Sequence, residues 1–84
     1  MTGDDVRRRR EARHRFLELL YEASETGESE YADGYALGAG LGLSRHDVER
    51  VVRYHEDHGF VAKAGGGGLT VRITARGIDH VETG

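Results

Sequence analysis

Apolar residues recur at helical spacing along the first third of the chain. Within residues 4–26, four of them follow an i, i+3, i+4, i+7 pattern, which indicates the buried stripe of an amphipathic helix. They are Phe16, Leu19, Leu20 and Ala23. Asp4 or Asp5 is the expected N-cap of this helix. Gly27 stands where a helix commonly ends on a glycine.

A second, short helix is predicted after a polar connection at residues 28–33. Asp33 is its expected N-cap, and the helix covers roughly residues 34–41. Gly38 and Gly40 lie inside it, and each costs about 1 kcal/mol relative to alanine. We therefore expect packing to hold this helix, or a neighbour to approach it closely at a glycine.

A third helix is predicted from Ser44 to residue 58. Ser44 is the expected N-cap, with Asp47 three residues later in an arrangement like a capping box. Four residues share its apolar face at i, i+3, i+4, i+7 spacing. They are Val48, Val51, Val52 and His55. Gly59 is expected to end the helix.

The apolar period changes after residue 59. Residues 60–64 and 69–73 alternate between apolar and polar positions, which predicts two strands, and the four glycines at 65–68 predict a hairpin loop between them. Thr74 is the expected cap of a last short helix, ARGIDHVE.

The stretch GAGLGLSRHD, residues 38–47, is open to two interpretations. Its glycines suggest either a phosphate-binding loop or a tight turn between two helices. A dinucleotide fingerprint needs a third glycine where this chain has Leu43, and a P-loop needs Gly-Lys-Ser/Thr, which is absent. The turn is favoured, because helices that meet at about 90–120° commonly join through a glycine.

Two longer segments resemble winged-helix DNA-binding domains. LGLSRHDVERVVRYHEDHGFV, residues 41–61, is similar to their helix-turn-helix core, and LTVRITARGIDHVE, residues 69–82, to their closing strand and helix. The resemblance covers about residues 12–82. It implies an α+β winged helix-turn-helix with a three-helix core, a two-stranded β-hairpin wing and a short C-terminal helix, as one domain over residues 1–84.

The resemblance also implies a function, that of a small prokaryotic DNA-binding transcriptional regulator and not an enzyme. Residues 44–58 would enter the major groove of double-stranded DNA, residues 60–73 would form the wing, and the chain would act as a homodimer on a two-fold site. The candidate DNA contacts are Ser44, Arg45, His46, Arg50, Arg53, Lys63 and Arg72.

Two alternatives stay open for this surface. The arginines of the third helix could simply be solvated and paired within the helix, as Glu49 and Arg53 would be at i, i+4. Winged helices also serve as protein–protein interaction modules without DNA binding. A DNA binder should join its arginines and wing into one positive surface, whereas an interaction module should have acids that interrupt it.

Composition changes this picture only in part. The 84 residues carry a net charge of −3, so the chain as a whole lacks the basic signature of many nucleic-acid binders. There is no cysteine, which excludes disulfides and thiolate metal sites. No secretory signal and no membrane span are evident, so a cytoplasmic protein is expected. The residues suggest no small-molecule ligand or cofactor.

The densest basic run is Arg7 to Arg10, followed by Arg13 and Arg15. Cations at a helix N-terminus oppose the helix dipole, so this run invites an explanation. It could contact phosphates, pair with acids on a dimer partner, or form a frayed, solvated segment over residues 1–10.

His55 lies on the apolar face of the third helix, where the winged-helix family usually carries leucine. It is either a hydrogen-bonded core histidine or a pH-sensitive switch, since an unperturbed histidine titrates near pH 6.5. His55 and His58 could share a metal ion with a third ligand such as His80. Zinc sites usually need three or four protein ligands, so we expect ordinary histidines and no metal site.

Overall fold

Four helices and three strands make up the computed structural model, which describes residues 3–27 and 30–84. In chain order the elements are α1 (Gly3–Thr26), β1 (Ala32–Asp33), α2 (Gly34–Gly40), α3 (Arg45–Asp57), β2 (Val61–Lys63), β3 (Thr70–Ile73) and α4 (Ala75–Thr83). The strands form one antiparallel sheet in the order β1-β3-β2. The described chain is a small α+β domain with four helices and a three-stranded antiparallel sheet, which confirms the predicted α+β class.

Helix α1 differs from its prediction at its start and on its buried face. It begins at Gly3, so Asp4 and Asp5 lie inside its first turn and the N-cap prediction was wrong. Residues 3–10 are helical. Leu17 is fully buried, whereas Leu19 is only half-buried. The buried face is wider than one stripe because α1 packs against the sheet as well as against α4.

The end of α1 follows the prediction. Gly27 has a φ of 72°, the left-handed conformation that suits glycine at a helix C-terminus. Glu28 and Ser29, which belong to the predicted polar connection, lie outside the described residues, as do Met1 and Thr2 at the start of the predicted basic segment.

Strand β1 was not predicted, so the expected two-stranded sheet has a third strand. Ala32 pairs with Val71 and Asp33 with Thr70. Gly34 continues the pairing by donating its backbone N–H to the Leu69 carbonyl at 2.8 Å. A strand of two residues is too short to give an alternating pattern, which is why this segment resembled a plain polar connection.

The turn between α2 and α3 is close-packed. The Asp33 carboxylate caps α2 by accepting from the backbone N–H groups of Tyr35 and Ala36 at 3.0 and 3.3 Å. Gly38 is buried directly against the Val48 side chain, where a methyl group would overlap it. Gly42 turns the chain with a φ of 76°. These contacts confirm the predicted cap and the close approach at Gly38.

The last third of the chain forms the predicted hairpin and helix. Val61 pairs with Ile73, and Lys63 pairs with Val71. Glycines 65–68 form the exposed hairpin tip. The Thr74 hydroxyl caps α4 by accepting from the backbone N–H of Gly77 at 3.1 Å.

The hydrophobic core lies between α1, α3 and the sheet. Its buried residues are Phe16, Leu17, Leu20, Val48, Val51, Val52, Val61, Val71 and Ile73. Among the helices of the described chain, none combines the length and the apolar character that crossing a membrane requires.

Candidate nucleic-acid interface

Helix α3 turns one face to solvent because its opposite face is fixed in the core. Its buried side is formed by three valines and His55. The Ser44 hydroxyl caps its start by accepting from the Asp47 backbone N–H at 3.1 Å. Five predicted contact residues lie exposed on or next to this helix. They are Ser44, Arg45, His46, Arg50 and Arg53.

Arg45 is held by an aromatic ring of the preceding helix. Its guanidinium carbon lies 4.0 Å from the centre of the Tyr35 ring, a cation–π contact. The Tyr35 hydroxyl in turn donates to the Glu49 carboxylate at 2.6 Å. This hydrogen bond is the main cause that raises the pKa of Tyr35 above its usual value. Arg45 therefore lies at the edge of α3 beside an acid.

The wing carries less available charge than the sequence suggested. The ammonium group of Lys63 lies 3.7 Å from the Glu56 carboxylate of α3, an exposed ion pair. Arg72 is half-buried on β3, opposite Ala62 in the sheet. Hence Lys63 and Arg72 do not continue the arginine surface of α3 directly, since Glu49 and Glu56 lie on this side of the helix.

The other side of α3 faces the N-terminal half of α1 across a groove of about 630 Å³. Its lining residues come from α1, from the turn before α3 and from α3 itself. Four arginines line it, namely Arg8, Arg9, Arg13 and Arg50, together with Asp5 and Asp47. The basic run of α1 thus meets the candidate recognition helix along this edge.

Arg13 occupies a defined position in this groove. Its guanidinium carbon lies 4.3 Å from the centre of the Tyr54 ring. Arg15, by contrast, points to another face of α1 and pairs with Glu18 and Glu22 at 3.4 and 3.1 Å. The basic run of α1 is therefore divided between different faces of the helix.

Glu49 was predicted to pair with Arg53 within α3, but its carboxylate has a different partner. Among the ion pairs of the described residues, none joins Glu49 to Arg53. Glu49 accepts from Tyr35 on α2 instead. On α1, Nε2 of His14 lies 3.6 Å from the Glu18 carboxylate.

His55 is a core histidine. Its side chain is 3 % exposed, and Nε2 lies 2.8 Å from the backbone carbonyl of Arg13. Nδ1 is buried without a hydrogen-bond partner in the described chain. Burial lowers the pKa of His55, and the hydrogen bond to Arg13 opposes this only in part. The neutral ring, with its proton on Nε2, is the form that fits these contacts.

Two further histidines stack around Phe60. His80 lies 4.4 Å from the Phe60 ring centre and His58 lies 5.4 Å from it. His58 also packs on Tyr54 at 4.4 Å. Throughout residues 3–27 and 30–84, no three His, Cys, Asp or Glu side chains come together in a way that could hold a metal ion.

Two of the residues that shape this surface, Tyr35 and Tyr54, were not predicted to do so, and both orient arginines. Arg8 belongs to the basic run for which phosphate contact was one interpretation, but its position in a groove beside α3 was not predicted. The spacing of Asp5, Arg8 and Ala12 at i, i+3, i+7 marks one face of α1 and could have indicated a shared surface. The pairing of Tyr35 with Arg45 joins two helices and left no periodic signal.

Comparisons with known proteins give no relative for this surface. No family model matches the chain, and no match is found among curated proteins or among solved structures.

Proposed function

We propose that this chain is a DNA-binding transcriptional regulator of the winged helix-turn-helix type. Residues 44–58 serve as the recognition helix and residues 60–73 as the wing. The observation that carries the proposal is the capped helix α3, which follows a glycine turn and exposes arginines on the face opposite the core. Recognition helices contact base edges with such side chains, and arginine is the commonest reader of guanine.

The Tyr35–Arg45 contact supports the proposal. A guanidinium stacked on a ring keeps its planar donors oriented at lower entropic cost than a mobile side chain. Arg45 stands in the first turn of α3, the part of a recognition helix that reaches bases. Lys63 and Arg72 belong to the proposed wing contact, with a smaller share because Glu56 already pairs with Lys63.

Fluorescence anisotropy with a random-sequence duplex, titrated with salt, tests the proposal. The affinity of the wild type should fall steeply as salt rises, because phosphate contacts release counterions. The double variant Arg50→Gln/Arg53→Gln should bind more weakly and with a shallower salt slope, by about 1 for each phosphate that the variant no longer binds. The control Arg10→Gln/Arg76→Gln removes the same charge from exposed positions outside α3.

A second candidate function is a protein–protein interaction module. The observation that favours it is the position of Glu49 and Glu56, whose carboxylates engage Tyr35 and Lys63 on the wing side of α3. Such a module should not bind the duplex even at low salt, where electrostatic affinity is exaggerated. That result would replace the DNA proposal with this one.

A further inference from the structure

The groove between α1 and α3 concentrates positive charge next to the proposed recognition helix. Arg8, Arg9 and Arg13 line it from α1, and Arg50 lines it from the outer surface of α3. Asp5 and Asp47 also contribute, so arginines outnumber acids two to one. The floor is formed in part by the turn residues Leu41, Gly42 and Leu43.

The two sides of α3 differ in charge. On the side towards the wing, Arg45 stacks on the Tyr35 ring, and the Tyr35 hydroxyl donates to the Glu49 carboxylate. On the same side, Lys63 is paired with Glu56. Towards α1, the arginines of two helices face one open groove. The positive surface of the molecule therefore runs from α3 to α1, and not from α3 to the hairpin.

We propose that this groove binds a backbone phosphate of duplex DNA, through Arg8 and Arg13 of α1 together with Arg50 of α3. The inference rests on the proposed function and names the second contact of the same DNA surface. With this contact, one face of the basic run of α1 binds DNA and the other face is exposed to solvent.

Guanidinium chemistry favours a phosphodiester as the occupant. The planar fork of arginine donors matches two oxygens of a phosphate, and arginine is weakly hydrated compared with an ammonium group. The Tyr54 ring holds the Arg13 guanidinium in place before any ligand arrives. DNA lying along α3 would have to carry its backbone past this edge, because Arg50 belongs to both surfaces.

Arg8→Gln and Arg10→Gln form a matched pair for the test. Both positions are exposed, lie in α1 and lose the same charge, but Arg8 lines the groove and Arg10 lines another face. Anisotropy titrations with the duplex across a range of salt concentrations measure both. Arg8→Gln should weaken binding about five- to ten-fold near 0.1 M salt and reduce the salt slope by about 0.9. Arg10→Gln should stay close to the wild type.

The outcomes separate this inference from the proposed function. One outcome is that Arg50→Gln/Arg53→Gln weakens binding while Arg8→Gln matches Arg10→Gln. In that case the groove does not bind phosphate, but α3 still contacts DNA as the recognition helix. If the wild type binds no duplex at low salt, both ideas are overturned. In that case, a titration with a polyglutamate peptide that shifts the NMR signals of Arg8 and Arg13 would identify an acidic protein as the occupant.

Discussion

Gly38 and Val48 are fitted to each other at the crossing of α2 and α3. A methyl group on Gly38 would overlap Cγ2 of Val48, which is itself buried. Overpacking usually costs about 1–3 kcal/mol, and alanine gains about 1 kcal/mol over glycine in a helix interior. We therefore expect Gly38→Ala to lower the free energy of unfolding by up to about 2 kcal/mol. Urea denaturation measures the difference.

Gly40 provides the matched control. It lies in the same helix, and a methyl group there would meet open space. Gly40→Ala should therefore leave the stability unchanged or raise it by up to about 1 kcal/mol. If both variants had the same effect, the contact with Val48 would not be what requires glycine at position 38.

His55 makes stability depend on pH. Its folded pKa is lowered, so the unfolded chain binds a proton more readily than the folded one. Stability should be complete above the unfolded pKa of about 6.5 and fall as the pH drops towards the folded pKa. The steepest slope from one such group is about 1.4 kcal/mol per pH unit. Urea midpoints between pH 8 and pH 5 measure it.

The variant His55→Leu should flatten this dependence. Leucine carries no proton and leaves no buried Nδ1 without a partner, so the variant gains on the wild type as the pH falls. His46→Gln, at an exposed position of the same helix, should keep the wild-type profile. An unchanged slope in His55→Leu would show that His55 is not the source of the acid sensitivity.

At the scale of elements, α3 depends on its N-cap as well as on its buried valines. The Ser44 hydroxyl satisfies the Asp47 N–H, so Ser44→Ala should cost about 0.5–2 kcal/mol of stability. Ser44→Asp should keep the cap, because aspartate caps as well as serine does. Thermal unfolding compares the two variants.

The same pair separates folding from recognition. Ser44→Asp places a negative charge at the start of α3, where the proposed function brings a phosphate, so it should weaken duplex binding without loss of stability. Tight binding by a stable Ser44→Asp protein would remove Ser44 from the DNA contacts and leave it as a cap alone.

Prediction from the sequence succeeded where a local rule fixes an element. The caps at Asp33, Ser44 and Thr74 and the glycine at position 27 follow from single-residue chemistry, and the helices follow from their period. Strand β1 was missed because its two residues are ordered by pairing with β3, which lies far along the chain.

At the scale of the whole molecule, the candidate surface was only partly predictable. The exposed arginines of α3 follow from removing its apolar face. The groove shared with α1 depends on how two helices pack, and the acids on the wing side depend on contacts of α3 with α2 and β2. The net charge of −3 gave no indication that arginines lie on one side of α3 and acids on the other, because a sum over the chain does not say where the charges lie.

The glycine tip of the hairpin has a practical consequence for engineering. Around each of glycines 65–68 there is open space where a side chain would begin. Each doubling of the length of such a loop costs only about 0.6 kcal/mol in chain entropy. A short peptide tag or a fluorophore attachment sequence inserted between Gly66 and Gly67 should leave the core and the caps intact. The molecule can then be immobilised or labelled through a tip that lines no part of the groove between α1 and α3.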